Sequence, residues 1–476
     1  MTLKVYNTKS RTVEEFSPLH GNRVYMFVCG PTVYDQSHIG HARTYLAYDI
    51  IARYLRAKGY SVFYLMNITD IDDKIINKAN ELGQDPLMLA EKFRNDFLED
   101  MHSLGIDSVN LYAKASEHIP EIIAQISTLK DKQFAYEVEG DVFFDVAKSP
   151  NYGRLSRQDI NQLIMHRIDP DPRKKNVVDF ALWKNQKPGE PAWNSPWGSG
   201  RPGWHIEDTA ITTTYFGPSY DLHGGGLDLI FPHHEAEIAQ AEAATGIEPL
   251  VKYWIHSGLL TVAGARMGKS MGNFITIKDA LLKHDAEALR LCFAASHYRS
   301  QLEYDENHIE QAEQVLERLR TVYNQVKSLT STSRTITTHE SGAVRKIISQ
   351  AKTDFDGAMD DDFNTPRALA AMIAFAKNIE PYANDKMDKE MALEVLGIFS
   401  YFGNIFGILQ SKGTVMDRAL ERLLSIILSV RDEARSKGDW ATSDTIRNSL
   451  RDIGVVVEDS ANGVRWHVKP VAKEST

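Results

Sequence analysis

Residues 23–67 restrict the fold more than any other stretch of the chain. Arg23–Val28 (RVYMFV) is a short apolar run of the kind that forms a buried strand, and Ser61–Asn67 (SVFYLMN) is a second. Between them the turn-rich segment CGPTVYDQSHIGH leads into residues at helical spacing. Leu46, Ile50 and Tyr54 share one register, Ala47, Ile51 and Leu55 another, and Gly59 suits the helix end. Strand, glycine-bearing loop, helix and strand predict the opening of a parallel α/β sheet with a right-handed crossover. The loop leaving the first strand then lies at the carboxyl edge of the sheet, where such folds take their ligands.

The 476 residues are too many for one ordinary core, so roughly three or four domains are expected. Residues 116–202 read as an insertion, with a strand at Asp141–Val146 (DVFFDV) and a stretch dense in Pro, Gly and Trp at Lys187–Pro202. Sheet-like patterning returns over Tyr220–Phe231, where Gly224, Gly225 and Gly226 suggest close approach of backbone to a ligand. Beyond Asn307 the pattern is helical. Ile309, Ala312, Leu316, Leu319 and Tyr323 make one apolar stripe, and Ser328–Ser341 reads as a loop between helices. Thr365 is expected to cap a helix with Pro366 in its first turn. A last helix, then Gly454–Val457 and a short strand at Trp466, predict a small α/β tail.

Composition narrows the setting. No apolar run reaches membrane-spanning length and the first residues lack the apolar stretch of a signal peptide, so no membrane partner is expected. Cys29 and Cys292 are the only cysteines, which excludes a disulfide framework and fits a cytoplasmic location. A net charge of −10 argues against a general nucleic-acid coat, so any such binding must use local patches. From Thr414 onward ten Lys/Arg balance ten Asp/Glu, and the excess negative charge lies before that tail.

His38-Ile39-Gly40-His41 sits where the first helix should begin. A helix N-terminus offers unpaired N–H donors and partial positive charge, and so attracts phosphate. Two imidazoles three residues apart share one face of the first turn and can donate to charge developing on a transferring phosphoryl group. Gly40 between them would let a planar base pack on the backbone. Further on, Arg266-Met267-Gly268-Lys269-Ser270 lies in a polar stretch before helix-like sequence, and a loop carrying Lys269 could close over a triphosphate.

These two motifs resemble the HIGH and KMSKS signatures of class I aminoacyl-tRNA synthetases. The segments FVCGPTVYDQSHIGHAR, NITDIDDKI, PGWHIE, HGGGLDLIFPHHEAEIAQ and YWIHSG resemble the cysteinyl branch, and the likeness runs from Val5 to about His467. The resemblance implies an α/β fold: a Rossmann-like parallel sheet catalytic domain (1–115 and 203–306) holding an inserted acceptor-end domain (116–202). A helical bundle (307–413) and a small anticodon-binding domain (414–476) would follow. It implies that L-cysteine is activated with ATP and transferred to the 3′-terminal adenosine of tRNA(Cys), with magnesium accompanying ATP. His38, His41 and Lys269 would be catalytic, and Gly30, Gly40 and His256 would join them around ATP. Cys29, Thr69, Trp204 and His223 would meet the cysteine. Arg266 and Gly268 depart from KMSKS, and the glycine should make that loop more mobile.

In this family one zinc ion per chain binds the substrate thiolate through two cysteines, a histidine and a glutamate. Cys29, His233 and Glu237 match three of these, and Asp208 stands in the remaining cysteine position. Carboxylates ligate zinc, but this harder set predicts weaker retention and a more open choice of metal. Helical geometry would turn the neighbours His234 and Glu235 away from the chosen pair. Without the resemblance, Cys29 would read as a small buried hydrophobe. In the tail, Arg435, Trp440, Asp444 and Asp459 match residues that the family uses to read anticodon bases, by stacking and edge hydrogen bonds. The run Asp360-Asp361-Asp362 is expected to cap a helix and stay clear of RNA phosphates. The insertion looks too short for a hydrolytic editing domain, and a monomer is expected. Two rivals stay open: a ligase joining activated cysteine to an amine such as an amino-sugar, and a catalytically silent RNA-binding paralogue.

Overall fold

A computed structural model describes residues 2–157, 171–262, 264–267, 273–330, 338–383, 387–409, 415–452, 455–460 and 463–468. Contacts divide the chain into two compact units, Met1–Leu409 and Gln410–Thr476.

At the centre of the first unit is a five-stranded parallel sheet in the order Val251–Ser257, Tyr220–Gly226, Arg23–Val28, Ser61–Ile68, Leu111–Lys114. Arg23–Val28 is the middle strand, and its last three residues are buried on both faces, which explains its continuous apolar run. It pairs in parallel from Arg23 opposite Ser61 to Val28 opposite Met66. From this strand the chain moves outward to Leu111–Lys114, then returns on the other side at Tyr220–Gly226. Strand order therefore reverses between Arg23–Val28 and Tyr220–Gly226. Connections diverge at such a point and leave a crevice at the carboxyl ends, here beside Cys29 and Gly226.

The predicted crossover helix spans Ile39–Ala57 and is buried on nearly every side. Its Asp49, fully buried, meets the guanidinium of Arg290 at 2.5 Å and that of Arg53 at 2.8 Å. Arg290 also donates to the carbonyls of Phe406, Leu104 and Gly105, so one cation joins the crossover helix to two further segments.

The inserted region carries an antiparallel sheet in the order Ala135–Val138, Asp141–Phe144, Phe180–Asn185, Gly198–Pro202, Trp193–Ser195. The strand expected over Asp141–Val146 stops at Phe144, because Val146 begins a 3-10 turn. Helix Ile206–Phe216 (IEDTAITTTYF) forms despite its many β-branched residues, since burial on several sides overrides their weak helix propensity. Its first turn holds Glu207 and Asp208, where the helix dipole favours negative charge.

Helices Glu306–Leu329, Thr338–Met359, Thr365–Ile379 and Lys389–Phe406 follow, and their apolar faces share one continuous core with the central sheet. Four expectations need correction here. The stripe on the first helix runs through Val322 and Val326, with Tyr323 only partly buried at its edge. The cap of the third helix is Asn364, whose side chain accepts from the Arg367 N–H, and Thr365 is already helical. The run Asp360–Asp362 is a joint between segments. Asp360 takes the Tyr54 hydroxyl and Lys58, and Asp362 takes the Tyr6 N–H, the Tyr298 hydroxyl and Arg299. Part of the expected loop Ser328–Ser341 is helical, up to Leu329 and again from Thr338, and residues 331–337 lie outside the described residues.

The second unit holds helices Val415–Ser436 and Trp440–Asp452 and an antiparallel hairpin, Val455–Ser460 with Gly463–Val468, around Leu428, Leu450 and Val455. Among the described residues, no helix is long and apolar enough to cross a membrane.

Candidate active site and metal centre

The crevice at the strand-order reversal is a cleft of about 640 Å³. Cys29, Gly30, His38, Gly40, His41, Thr69, Trp204, Asp208 and His233 all line it. Cys29 and Asp208, 179 positions apart, thus share one wall.

His38 is the N-cap of helix Ile39–Ala57. Its Nδ1 accepts from the N–H groups of Gly40 (3.1 Å) and His41 (3.4 Å), and His41 Nδ1 accepts from the His38 N–H at 3.4 Å. The two rings stack at 3.8 Å with 15° between their planes. With both Nδ1 atoms accepting, each neutral ring carries its proton on Nε2 and can act as a donor. Burial, with His38 and Lys74 adding to it, pushes the His41 pKa well below 6.5 and keeps that ring neutral. Gly40 serves a tighter need than the base-packing expected of it. A Cβ there would lie 2.9 Å from the His38 ring and 2.9 Å from Cε of Met267. The second signature motif therefore touches the first through Met267, while Gly268, Lys269 and Ser270 lie outside the described residues. Gly30 is equally constrained, since a Cβ would meet the Asn67 carbonyl oxygen at 1.7 Å.

The four proposed metal ligands meet. Cys29, Asp208, His233 and Glu237 each offer a ligand atom, and these atoms lie within 4.8 Å of one another. His233 Nε2 is 2.9 Å from Asp208 Oδ2 and 3.0 Å from Glu237 Oε1, and Cys29 Sγ is 3.5 Å from Asp208 Oδ2. Behind them, His205 Nδ1 meets His233 Nδ1 at 2.8 Å, and Trp204 stacks on the His233 ring at 4.2 Å. Thr69 donates to Glu207 beside this group. Burial, reinforced by Glu237 and Asp208, pushes the Cys29 thiol pKa well up, and burial with Asp208 does the same to Glu237. Two carboxylates and a thiol gathered out of water need a shared counter-charge to ionise together. Asp208 Oδ1 is buried without a hydrogen-bond partner. An orphaned oxygen among thiol, carboxylate and imidazole donors fits a divalent cation.

A second quartet, Cys29, His223, His234 and Glu237, meets the same distance limit. His234 Nε2 lies 3.1 Å from Cys29 Sγ, contrary to the helical-face expectation. Only Phe231 has extended angles here, so both histidines stand on helical backbone, and the turn of about 100° between neighbours is too small to point His234 away from the thiol. Glu235 does turn away, accepting from the N–H groups of Leu155 and Ser156. His223 and His256 do not line the cleft. His223 bonds Tyr220 through Nδ1, and His256 is buried between His234 and Thr8. Sequence reasoning missed His205, Glu207, His234 and Lys74, which also lines the cleft with its ammonium over the Tyr34 ring at 5.6 Å. The His-His doublet after Pro232 was the available signal for His234.

In the second unit, Trp440 is 62% exposed with the Arg435 guanidinium 5.9 Å from its ring, and Asp444 pairs with Arg447 at 3.1 Å. Asp459 lies in strand Val455–Ser460, and its side chain lies outside the described residues.

Residues 15–314 match the family of class I (C) tRNA synthetase catalytic domains. Residues 354–410 match the DALR domain, and residues 425–466 the cysteinyl-tRNA ligase anticodon binding domain. A cysteine–tRNA ligase of Heliobacterium modesticaldum is 42% identical over 478 residues, covering 98% of this chain and 99% of that protein. One of Thermococcus kodakarensis is 46% identical over 472 residues, again covering 98% and 99%. Among solved structures, a Mycobacterium tuberculosis methionyl-tRNA synthetase in complex with methionyl-adenylate aligns with a TM-score of 0.56 at 16% identity, over 80% of this chain and 89% of that one. The LeuRS of Agrobacterium radiobacter K84, in a ternary complex with tRNA and LeuAMS, aligns with a TM-score of 0.61 at 11% identity, over 82% and 85%. The chain belongs to the cysteine–tRNA ligase family of class I tRNA synthetases.

Proposed function

We propose that this chain activates L-cysteine with ATP and then transfers the cysteinyl group to the 3′-terminal adenosine of tRNA(Cys). In the first step a cysteine carboxylate oxygen attacks the α-phosphorus and pyrophosphate departs. In the second a terminal ribose hydroxyl attacks the activated carbonyl and AMP departs. One observation carries the reading: the thiol–carboxylate–imidazole cluster shares a cleft wall with the stacked pair His38 and His41.

Each element has a role that its geometry supports. The Nε2–H groups of His38 and His41, fixed in tautomer by the helix cap, donate to phosphate oxygens as negative charge builds. Lys74 on the same wall adds positive charge, and Lys269 would add more from the second signature loop. Gly30 and Gly40 keep the wall free of side chains where ATP passes. Thr69 and Trp204 border the cysteine side chain, with His223 behind the cluster. Cys29, Asp208, His233 and Glu237 would hold a zinc ion, which supplies a Lewis acid that takes a thiolate far better than a hydroxyl and so separates cysteine from serine. Magnesium is expected to accompany ATP. Residues 116–202 would guide the acceptor end, 307–413 would orient the tail, and Arg435, Trp440, Asp444 and Asp459 would read the anticodon. A single chain in the cytoplasm is the expected working unit.

The test is cysteine-dependent exchange of pyrophosphate into ATP, with metal content measured on wild type and on Cys29→Ser. Exchange by wild type with about one zinc per chain, lost in the variant, is the expected result. No exchange from zinc-loaded protein would sink the activity. Active wild type without any transition metal would sink the account of thiol selection.

A further inference from the structure

Tyr34 and Lys74 both line the cleft, on a part of its wall that neither the thiol cluster nor the stacked histidines occupy. We infer that this pair receives the single-stranded 3′ end of the RNA: the terminal adenine stacks on the Tyr34 ring and the phosphate beside it meets the Lys74 ammonium. This rests on the transfer reaction proposed above and names the place where its second substrate is held.

Local structure presents both side chains to the cleft. Thr32 bridges Thr69 in parallel, beyond the ends of the two central strands, and the Val33 N–H donates to the Thr69 carbonyl at 3.2 Å. Side chains alternate along extended backbone, so Val33 is buried and Tyr34 is 36% exposed on the open side. Lys74 lies in the first turn of helix Asp73–Leu82, where the capping carboxylate of Asp72 accepts from its N–H at 2.9 Å. The Lys74 ammonium stands 5.6 Å from the centre of the Tyr34 ring and, among the described residues, forms no ion pair. Asp35, the acid next to Tyr34, accepts from the N–H of Gln36 at 2.8 Å. An exposed ring with an uncommitted cation beside it is what single-stranded RNA requires, since bases stack on aromatic faces and phosphates seek positive charge.

Adenine could come from ATP or from the RNA terminus, and position favours the RNA. Asp73, the residue before Lys74, meets Lys184 at 2.5 Å and Arg201 at 2.5 Å. Those two cations stand opposite one another on neighbouring strands of the inserted sheet, Phe180–Asn185 and Gly198–Pro202. The clasp fixes Lys74 where the insertion joins the cleft, so an acceptor end guided by residues 116–202 meets Tyr34 and Lys74 on its way in. Thr32, two residues before Tyr34, is bridged to Thr69, which borders the cysteine in the reading above. A ribose held beside Tyr34 is therefore close to the carbonyl that its hydroxyl attacks. Lys74 is also near enough to His41 to help depress its pKa, so it can serve ATP as well, and Tyr34 is the side chain that tells the two sources apart.

Two rates measured on the full-length enzyme separate them. Pyrophosphate exchange uses ATP and cysteine alone, whereas single-turnover transfer from preformed cysteinyl-adenylate uses the RNA end. Tyr34→Ala should slow transfer by about tenfold or more, the usual loss of a stacking partner, and exchange by less than about threefold. Tyr34→Phe, which keeps the ring, should transfer within about threefold of wild type. Equal loss of both rates would assign the ring to ATP, and unchanged transfer would remove it from the RNA. Either result overturns the inference and leaves the ligase reading standing, whereas wild type without exchange would overturn both. The direct readout is tRNA carrying 2-aminopurine as its 3′-terminal base. Its fluorescence should fall on saturation with wild type or Tyr34→Phe and stay near the free-RNA level with Tyr34→Ala. Equal quenching by all three proteins would refute the stacking.

Discussion

Replacing Gly40 with alanine separates the placement of the two histidines from the stability of the helix that carries them. The added methyl would sit 2.9 Å from the His38 ring and 2.9 Å from Met267 Cε, and ordinary contact begins at 3.4 Å. The ring must therefore retreat by about 0.5 Å, which is enough to disturb a near-attack arrangement. Retreat also weakens the cap that His38 makes to the N–H groups of Gly40 and His41, a loss of about 1 kcal/mol. Alanine in the first helical turn returns a similar amount, roughly 0.5–1 kcal/mol, by lowering the entropy of the unfolded chain. Net stability should hardly change. Catalysis should change a great deal, because a misplacement on this scale costs on the order of 10- to 100-fold in kcat, or about 1.4–2.7 kcal/mol of transition-state stabilisation. The assay is steady-state pyrophosphate exchange across ATP concentration, with thermal unfolding measured on the same preparation. KM for ATP should move little, since the donors act on charge that develops late. A kcat within threefold of wild type would refute the argument. So would a kcat loss that tracks a large fall in Tm, because the effect would then be one of folding.

Other parts of the structure make their own predictions. Arg290→Met should lower the unfolding free energy in urea by about 3–5 kcal/mol, since it strips Asp49 of a buried partner at 2.5 Å and removes the donor to the Phe406 and Leu104 carbonyls; a loss under about 1 kcal/mol would show the pair to be dispensable. The folded chain holds His41 neutral, its pKa well below 6.5, whereas the unfolded chain takes up a proton there below about that pH. Unfolding free energy should therefore fall as pH drops below 6.5 and be insensitive to this group above it, and His41→Asn should flatten that part of the profile. Identical slopes for variant and wild type between pH 5 and 6.5 would rule the contribution out. Trp440→Ala, at an exposed ring, should raise KM for tRNA by about tenfold through lost base stacking while leaving pyrophosphate exchange and Tm unchanged. Unchanged KM for tRNA would remove Trp440 from the anticodon contacts.

What could be read from the residues followed from how local the determining physics was. RVYMFV and SVFYLMN were legible as strands because a central parallel strand buries both faces and so shows an unbroken apolar run. The helix between them was legible from spacing, and its start from the histidines that turn out to cap it. Asn364 was harder, because Asn and Thr are both good caps and only the traced hydrogen bond to Arg367 separates them. The aspartates at 360 and 362 looked like part of a cap because their partners, Tyr54, Tyr6 and Arg299, are distant in sequence. The metal centre shows both sides of the problem. Cys29, Asp208, His233 and Glu237 were found by likeness to known segments, but His234 was set aside on helical periodicity. Phe231 is the one residue there with extended angles, and both histidines keep helical backbone; a turn of about 100° between neighbours does not carry His234 out of reach of the thiol. A residue one position off a face is turned by only about 100°, so both neighbours at a helix start can reach one buried group. The two histidines, adjacent in the chain, thus belong to two quartets that share Cys29 and Glu237, and the orphaned Asp208 oxygen marks the quartet that contains His233.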